Sequence, residues 1–200
     1  MEKLSSSENA FVRPSPSSGE LGGTGIATRE AIILCEAAGY EIIFVETVGV
    51  GQSETDVHSM VDFFLLLTIA GAGDELQGIK RGIMEMADLV VINKADNTNL
   101  KSQTLPAGRQ VSNLQSQISN SLHLFPASDS GWIPLVLSCS SLTGKGIEKT
   151  WLSISDYFAM VKKNGFFLLK RKGQLKYWFR ETLERELKNL AHIGEEVISL

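Results

Sequence analysis

The sequence predicts an α/β domain: a mostly parallel β-sheet flanked by helices, followed by C-terminal helices. Three observations predict it. Apolar, β-branched runs recur at residues 40–45, 63–69, 88–92 and 133–137 with almost no polar alternation, as expected of strands covered on both faces. Stretches with helical spacing lie between them, and alternating strand and helix is the pattern of a parallel sheet. After Gly146 the helical period continues without another strand.

Taken in order, the first element is a loop, because Pro14-Ser15-Pro16-Ser17-Ser18-Gly19 and then Gly22-Gly23 are rich in turn-forming residues. A helix follows. Thr28 is placed to cap it, Ala31, Ile32, Cys35 and Ala38 supply its apolar face, and Gly39 stands where a helix end prefers glycine. The strand at 40–45 leads to a helix at 53–60, the strand at 63–69 to a helix at 75–86, and the strand at 88–92 to residues 97–131. That last segment is poor in charge and rich in Ser, Gln and Asn, so it reads as a surface excursion. Its helix at 111–122 aligns Val111, Leu114, Ile118 and Leu122. Beyond the strand at 133–137, Ile147, Trp151, Ile154, Phe158 and Val161 form one helical stripe. A final helix is predicted from about residue 175 to 197, with Phe179, Leu183, Leu187 and Leu190 as its stripe. The intervening Lys162, Lys163, Lys170, Arg171, Lys172 and Lys176 read as a solvated linker face rather than a phosphate-binding patch.

Composition sets the limits. With 200 residues, 43% of them hydrophobic and 21% charged, one ordinary core can form. Nineteen Lys and Arg against 23 Asp and Glu give a net charge of -4, no electrostatic footprint for nucleic acid or an anionic membrane. Cys35 and Cys139 are far apart and suit reduced thiols. The longest apolar stretch, residues 63–72, is too short to span a bilayer, so the expectation is a soluble, cytoplasmic protein.

The chemistry lies in three loops that follow predicted strands, where open α/β sheets bind their ligands. Asn93-Lys94-Ala95-Asp96 directly follows Leu89-Val90-Val91-Ile92. An N-K-x-D there reads guanine: the Asp carboxylate accepts from N1–H and the 2-amino group, a donor pair that adenine lacks. The Asn side chain contacts the base and braces the neighbouring loops, and the Lys stem lies along the purine face. The same four letters also fit an ordinary polar turn; their place at a strand end favours the motif. One unit later comes Ser138-Cys139-Ser140-Ser141-Leu142-Thr143-Gly144-Lys145-Gly146. In GTPases this position holds S-A-x, whose backbone N–H donates to guanine O6, and Ser140, Ser141 and Leu142 are the matching residues, with Ser141 where Ala is usual. Read alone, the loop is also good helix-capping chemistry. The third is Glu46-Thr47-Val48-Gly49-Val50-Gly51-Gln52. Its carboxylate can hold a Mg²⁺-bound water or orient the attacking water, and Gly49 lets a backbone N–H approach a γ-phosphate. A glycine-rich turn whose Glu caps the next helix is the competing reading.

These motifs, with Met60-Val61-Asp62-Phe63-Phe64, Gly71-Ala72-Gly73-Asp74-Glu75-Leu76-Gln77-Gly78-Ile79-Lys80 and Leu34-Cys35-Glu36-Ala37-Ala38-Gly39, resemble the MeaB/ArgK family. Its members are GTPases associated with methylmalonyl-CoA mutase, also described as LAO/AO transport ATPases. The resemblance is dense over residues 1–96, thin through the excursion, and returns at 132–151. It implies a P-loop NTPase-like fold of the SIMIBI type. It also implies a GTP-hydrolysing metallochaperone, binding GTP or GDP with Mg²⁺, that gates adenosylcobalamin delivery to a mutase. It further implies that Asp74, Glu75, Gln77 and Lys80 belong to a switch coupling nucleotide state to the partner. Lys80 supports hydrolysis and completes the catalytic candidates with Glu46 and Gln52. A homodimer through the C-terminal helices is implied as well. The domain reading that follows is a partial GTPase domain at 1–161 and a helical dimerisation segment at 162–200.

One feature departs from the family. No G-x-x-x-x-G-K-[S/T] loop precedes the other motifs: Gly144-Lys145 is followed by Gly146, and Gly22-Gly23-Thr24-Gly25 has no lysine. The expectation is an N-terminally truncated product, missing the P-loop strand and binding GTP weakly by itself. The rival readings are a non-catalytic interaction module derived from the family, and a transport-associated ATPase or kinase, against which Asp96 argues.

Overall fold

The computed structural model describes residues 2–14, 23–47, 53–69, 81–96 and 107–198. They fall into two units, Met1–Val57 and His58–Leu200. The first unit carries α1 (Glu2–Ser5), α2 (Gly23–Ala37) and all but the last residue of α3 (Ser53–His58). Helix α2 starts at Gly23, so Thr28 lies inside it instead of capping it. Ala31, Ile32 and Cys35 are half-buried on one face, as their spacing predicts, while Ala38 is exposed beyond the helix end. The stop is chemical. Tyr40 N–H donates to the Cys35 carbonyl (3.1 Å) and Gly39 N–H to the Glu36 carbonyl (3.0 Å), with Gly39 left-handed at φ 88°. That is a Schellman closure, and glycine adopts its geometry without a Cβ penalty.

The run at 40–45, expected to be a strand, is not one. Ile42 and Phe44 are 53% and 79% exposed. A β-branched run becomes a strand only where another backbone accepts its ladder hydrogen bonds, and no described strand of its unit does so.

In the second unit the alternation holds: β1 (Leu65–Ile69), α4 (Arg81–Met86), β2 (Leu89–Asn93), α5 (Ala107–Leu122), β3 (Leu135–Ser138), α6 (Ile147–Lys163) and α7 (Phe166–Ile198). The strands form a parallel sheet in the order β1-β2-β3, registered Leu65 to Leu89 and Leu89 to Leu135. Leu89, Val90, Val91 and Ile92 are at most 1% exposed, so the continuous apolar run in β2 is a central strand covered on both faces. Phe63, Leu65 and Ile154 pack on the cluster of Leu89, Val91, Leu137 and Cys139. Helix α5 buries Val111, Leu114 and Ile118 and lies against β3, where Gln115 Nε2 donates to the Val136 carbonyl (2.7 Å). Residues 75–80 of the predicted helix before β2 lie outside the described residues.

Two helical expectations need correction. In α6 the buried positions are Ser153, Tyr157 and Val161, while Ile147 and Trp151 are exposed. Hydropathy alone rotated the stripe, because Tyr157 is buried for its ring and its hydroxyl together. The ring meets Phe63 and Trp132 edge-on (4.8 and 5.5 Å), and the hydroxyl donates to the Asp62 carbonyl (3.2 Å).

The second correction concerns the basic stretch, which is helical instead of a linker: Lys162, Lys163, Lys172 and Lys176 are exposed as expected, whereas Lys170 and Arg171 are half-buried. One face of α7 fastens to the irregular segment before β1. Lys170 Nζ donates to the Asp62 carbonyl (2.9 Å), Gln174 Nε2 to the Val61 carbonyl (2.9 Å) and Trp178 Nε1 to the Ser59 carbonyl (3.1 Å). Positions 170, 174 and 178 are four apart, so one side of a helix meets three carbonyls of the 59–62 segment that no strand ladder satisfies. Arg171 grips the Asp62 carboxylate with Nε and Nη2, and Lys170 Nζ lies 3.8 Å from Asp88 Oδ2, which also accepts from Phe64 N–H (2.8 Å). Linear patterning assigns such charges to solvent because their partners are far away in sequence.

This cluster makes stability depend on pH. Burial, and then the Lys170 ammonium, push the His58 imidazole from 6.5 down to about 4. The unfolded chain therefore binds a proton between pH 6.5 and 4 that the folded chain refuses, so stability falls as pH drops through that window. Solvent screening reduces the effect to about 1–2 kcal/mol. Burial raises the Asp88 carboxyl, against the opposing pull of Lys170 and the Phe64 N–H, so above pH 3.8 its slope has the opposite sign. Urea melts from about pH 7 to about pH 4 should show the loss, and His58→Gln should flatten it. An unchanged slope would show that His58 is not its source.

Candidate functional site

Because β2 and β3 run parallel, their C-terminal ends open on the same edge of the sheet, and the two predicted base-reading loops start side by side there. Backbone bonds continue the pairing past the strands: Cys139 N–H donates to the Ile92 carbonyl (2.9 Å) and Ala95 N–H to the Cys139 carbonyl (3.0 Å). Lys94 enables the second bond by turning left-handed at φ 56°. For a residue with a Cβ that conformation costs about 1 kcal/mol, and such strain gathers at functional sites.

Asn93 holds the loops together. Its Oδ1 accepts from Lys94 N–H (2.7 Å) and Ser141 N–H (3.1 Å), with the Cys139 thiol at 3.5 Å, and its Nδ2 donates to Ser141 Oγ (3.3 Å). Burial pushes the Cys139 thiol up from its usual value, keeping it a neutral donor. The second loop is stiffened from within. Ser140 N–H donates to the Lys145 carbonyl (2.8 Å), Gly144 N–H to the Ser140 carbonyl (2.9 Å), and Thr143 N–H to Ser140 Oγ (3.1 Å). Gly146 is left-handed at φ 82°, and a Cβ there would sit 2.4 Å from the Ser138 carbonyl oxygen, so only glycine closes the loop onto β3.

The predicted residues thus divide. Asn93, Lys94, Ser140, Ser141 and Leu142 are brought to one edge, with Asp96 three residues after Asn93. Lys94, Asp96, Ser141 and Leu142 are exposed, Leu142 at 86%, whereas Ser140 is buried beneath the loop with its hydroxyl occupied by Thr143. Glu46 is exposed in the first unit and is described there by itself. Gly49, Gln52, Asp74, Glu75, Gln77 and Lys80 lie outside the described residues. Cys139 and Gly146, not singled out from sequence, organise the second loop; the glycine following Lys145 was the available sign for one, and nothing local marked the other.

The family model for methylmalonyl Co-A mutase-associated GTPase MeaB matches residues 1–196. The chain is similar to GTPase ArgK of Escherichia coli, 44% identical over 196 residues covering 98% of this chain and 57% of that protein. It is also similar to the mitochondrial methylmalonic aciduria type A homolog of Mus musculus, 44% identical over 201 residues covering 98% and 46%. The homolog of the same name in Caenorhabditis elegans is 37% identical over 190 residues, covering 95% and 46%. The chain spans about half the length of the curated relatives it matches. A family match along residues 1–196, together with 44% identity to GTPase ArgK over 98% of this chain, places this chain in the MeaB/ArgK family of GTPases.

Proposed function

We propose that this chain is the guanine-reading part of a GTP-binding, GTP-hydrolysing metallochaperone for an adenosylcobalamin-dependent methylmalonyl-CoA mutase. The observation that carries the reading is the Asn93 amide, which bonds both loops at once and so fixes their spacing at the sheet edge. In this reading the Asp96 carboxylate accepts from the N1–H and 2-amino group of the base. The Lys94 stem covers the purine face, and the loop at 140–142 donates to O6. The family name and the methylmalonic aciduria homologues support a mutase as partner, with Asp74, Glu75, Gln77 and Lys80 as the coupling switch.

Glu46, Gln52 and Lys80 are assigned to hydrolysis and Gly49 to the γ-phosphate. No three His, Cys, Asp or Glu side chains gather as a metal site among the described residues. A nucleotide-bound Mg²⁺ takes one or two carboxylates and completes its shell with phosphate oxygens and water, so the single exposed Glu46 carboxylate fits that class. Bound there, the ion would neutralise phosphate charge. The exposed stripe of Phe179, Leu183, Leu187 and Leu190 on α7 supports assignment of the 162–200 segment to a homodimer, which sedimentation of the purified chain would distinguish from a monomer. Among the described residues no helix is long and apolar enough to cross a membrane.

Titrating the ¹⁵N-labelled chain with guanosine and with adenosine tests the base reading without depending on phosphate contacts. Guanosine should move the amides of residues 93–96 and 139–146 at about tenfold lower concentration than adenosine, the consequence of losing the paired donors that Asp96 accepts. Equal response to both nucleosides would sink the reading.

A further inference from the structure

Ser141 stands where the S-A-x pattern of GTPases has alanine, so its hydroxyl is an addition to that pattern, and its surroundings define what that hydroxyl can do. The Asn93 amide has only one workable orientation. Two backbone N–H groups, of Lys94 and Ser141, point at the same side-chain atom at 2.7 and 3.1 Å, and that atom must be the oxygen. The amide nitrogen then faces Ser141 Oγ at 3.3 Å and donates to it. A hydroxyl that accepts one hydrogen bond still has a proton to donate. Ser141 is exposed, and no acceptor for that proton is present among the described residues.

The same bonds change which backbone group is available. Ser141 N–H is committed to Asn93 Oδ1, whereas the next one, Leu142 N–H, has no acceptor among the described residues. The loop therefore offers two uncommitted donors from adjacent residues, a hydroxyl and an amide, at the sheet edge where Asp96 presents an acceptor. A ring with a carbonyl next to an N–H is complementary to that set. A 6-amino purine would bring N–H groups against donors and leave them unpaired, a cost of the kind that excludes wrong substrates.

We propose that the Ser141 hydroxyl is a specificity-determining donor to the 6-keto oxygen of a bound purine, acting beside the Leu142 N–H. The proposal rests on the guanine reading above and deepens it. Asn93 is then a positioning residue, orienting the Ser141 oxygen so that its proton faces the base.

The test titrates ¹⁵N-labelled wild type, Ser141→Ala and Ser141→Thr with guanosine, inosine and 6-thioguanosine. Inosine keeps the 6-keto group and lacks the 2-amino group; 6-thioguanosine keeps both donors for Asp96 and replaces the keto oxygen with sulfur, a weak acceptor. Loss of one neutral hydrogen bond corresponds to about three- to tenfold in affinity. Ser141→Ala should weaken guanosine and inosine by that factor and leave 6-thioguanosine nearly unchanged, and Ser141→Thr, which keeps a hydroxyl, should restore both. Amide spectra of the free variants that overlay on wild type outside residues 139–146 show that the fold is kept. Guanosine binding unchanged by Ser141→Ala, or an equal loss for all three nucleosides, would overturn the proposal and leave the base site standing. A wild-type chain that ignores guanosine would remove the guanine reading, and the proposal with it.

Discussion

Trp178→Ala should destabilise the second unit by about 3–5 kcal/mol, the range for deleting a large buried aromatic. Trp178 is 4% exposed, packs edge-on with Tyr177 at 5.4 Å, and donates Nε1–H to the Ser59 carbonyl. Truncation removes apolar burial, leaves a void and deletes the donor together. It also falls where α7 changes character: Lys170, Gln174 and Trp178 bond to the body of the unit, while Phe179, Leu183, Leu187 and Leu190 beyond them are exposed. Among the described residues Trp178 is thus the last buried fastening on a 33-residue helix about 50 Å long. Urea unfolding followed by circular dichroism gives the stability change, and amide exchange along α7 shows whether protection is lost from that point outward. Trp178→Phe, which keeps most of the burial but not the N–H, should cost about 1–2 kcal/mol. A loss under about 1 kcal/mol for the alanine variant would mean that this face does not hold the helix.

Asp96→Ala should remove guanosine recognition almost completely. Two hydrogen bonds to a carboxylate are worth roughly 1.5–3 kcal/mol each, so affinity should fall at least about a hundredfold, beyond the reach of a titration with nucleoside. Asp96 is exposed, and an exposed substitution away from packing changes stability by no more than about 0.5 kcal/mol. A large loss of binding with an unchanged melting curve is therefore the signature expected. Asp96→Asn sharpens the test. Its amide keeps one acceptor for the ring N1–H and gains donors, which suit the 2-keto group of xanthosine better than the 2-amino group of guanosine. Retained preference for guanosine over xanthosine in that variant would contradict the assigned role.

How much of this was legible in the sequence depends on the range of the contacts that fix each element. Strand β2 was readable because Leu89, Val90, Val91 and Ile92 need only a sheet around them, and Gly39 was readable because a helix stop is a local backbone event. The placement of the 93–96 loop was readable because an N-K-x-D directly after a strand fixes where those four adjacent residues emerge, at the C-terminal end of β2. The run at 40–45 failed for the opposite reason: its apolar residues express a capacity for pairing, and pairing is decided by another backbone. Hydropathy misplaces the α6 face and the basic stretch because Tyr157, Lys170 and Arg171 take partners at Asp62 and Asp88, which no window of neighbouring residues contains. Glu46 rests on local pattern alone, and its first unit carries no described strand to orient it.

The fastening of α7 has a consequence for the order in which the molecule can be made. Asp62 and Arg171 are 109 residues apart, and Ser59 and Trp178 are 119 apart. A ribosome that has already delivered β1, β2 and β3 has therefore not yet delivered the residues that occupy the carbonyls of the 59–62 segment. During that interval the sheet edge that carries the 93–96 and 139–146 loops can assemble while the opposite end of the sheet stays open to water. Synthesis of α7 thus covers that end, and a message cut short after α6 would encode the 93–96 and 139–146 loops without the helix that closes the other end.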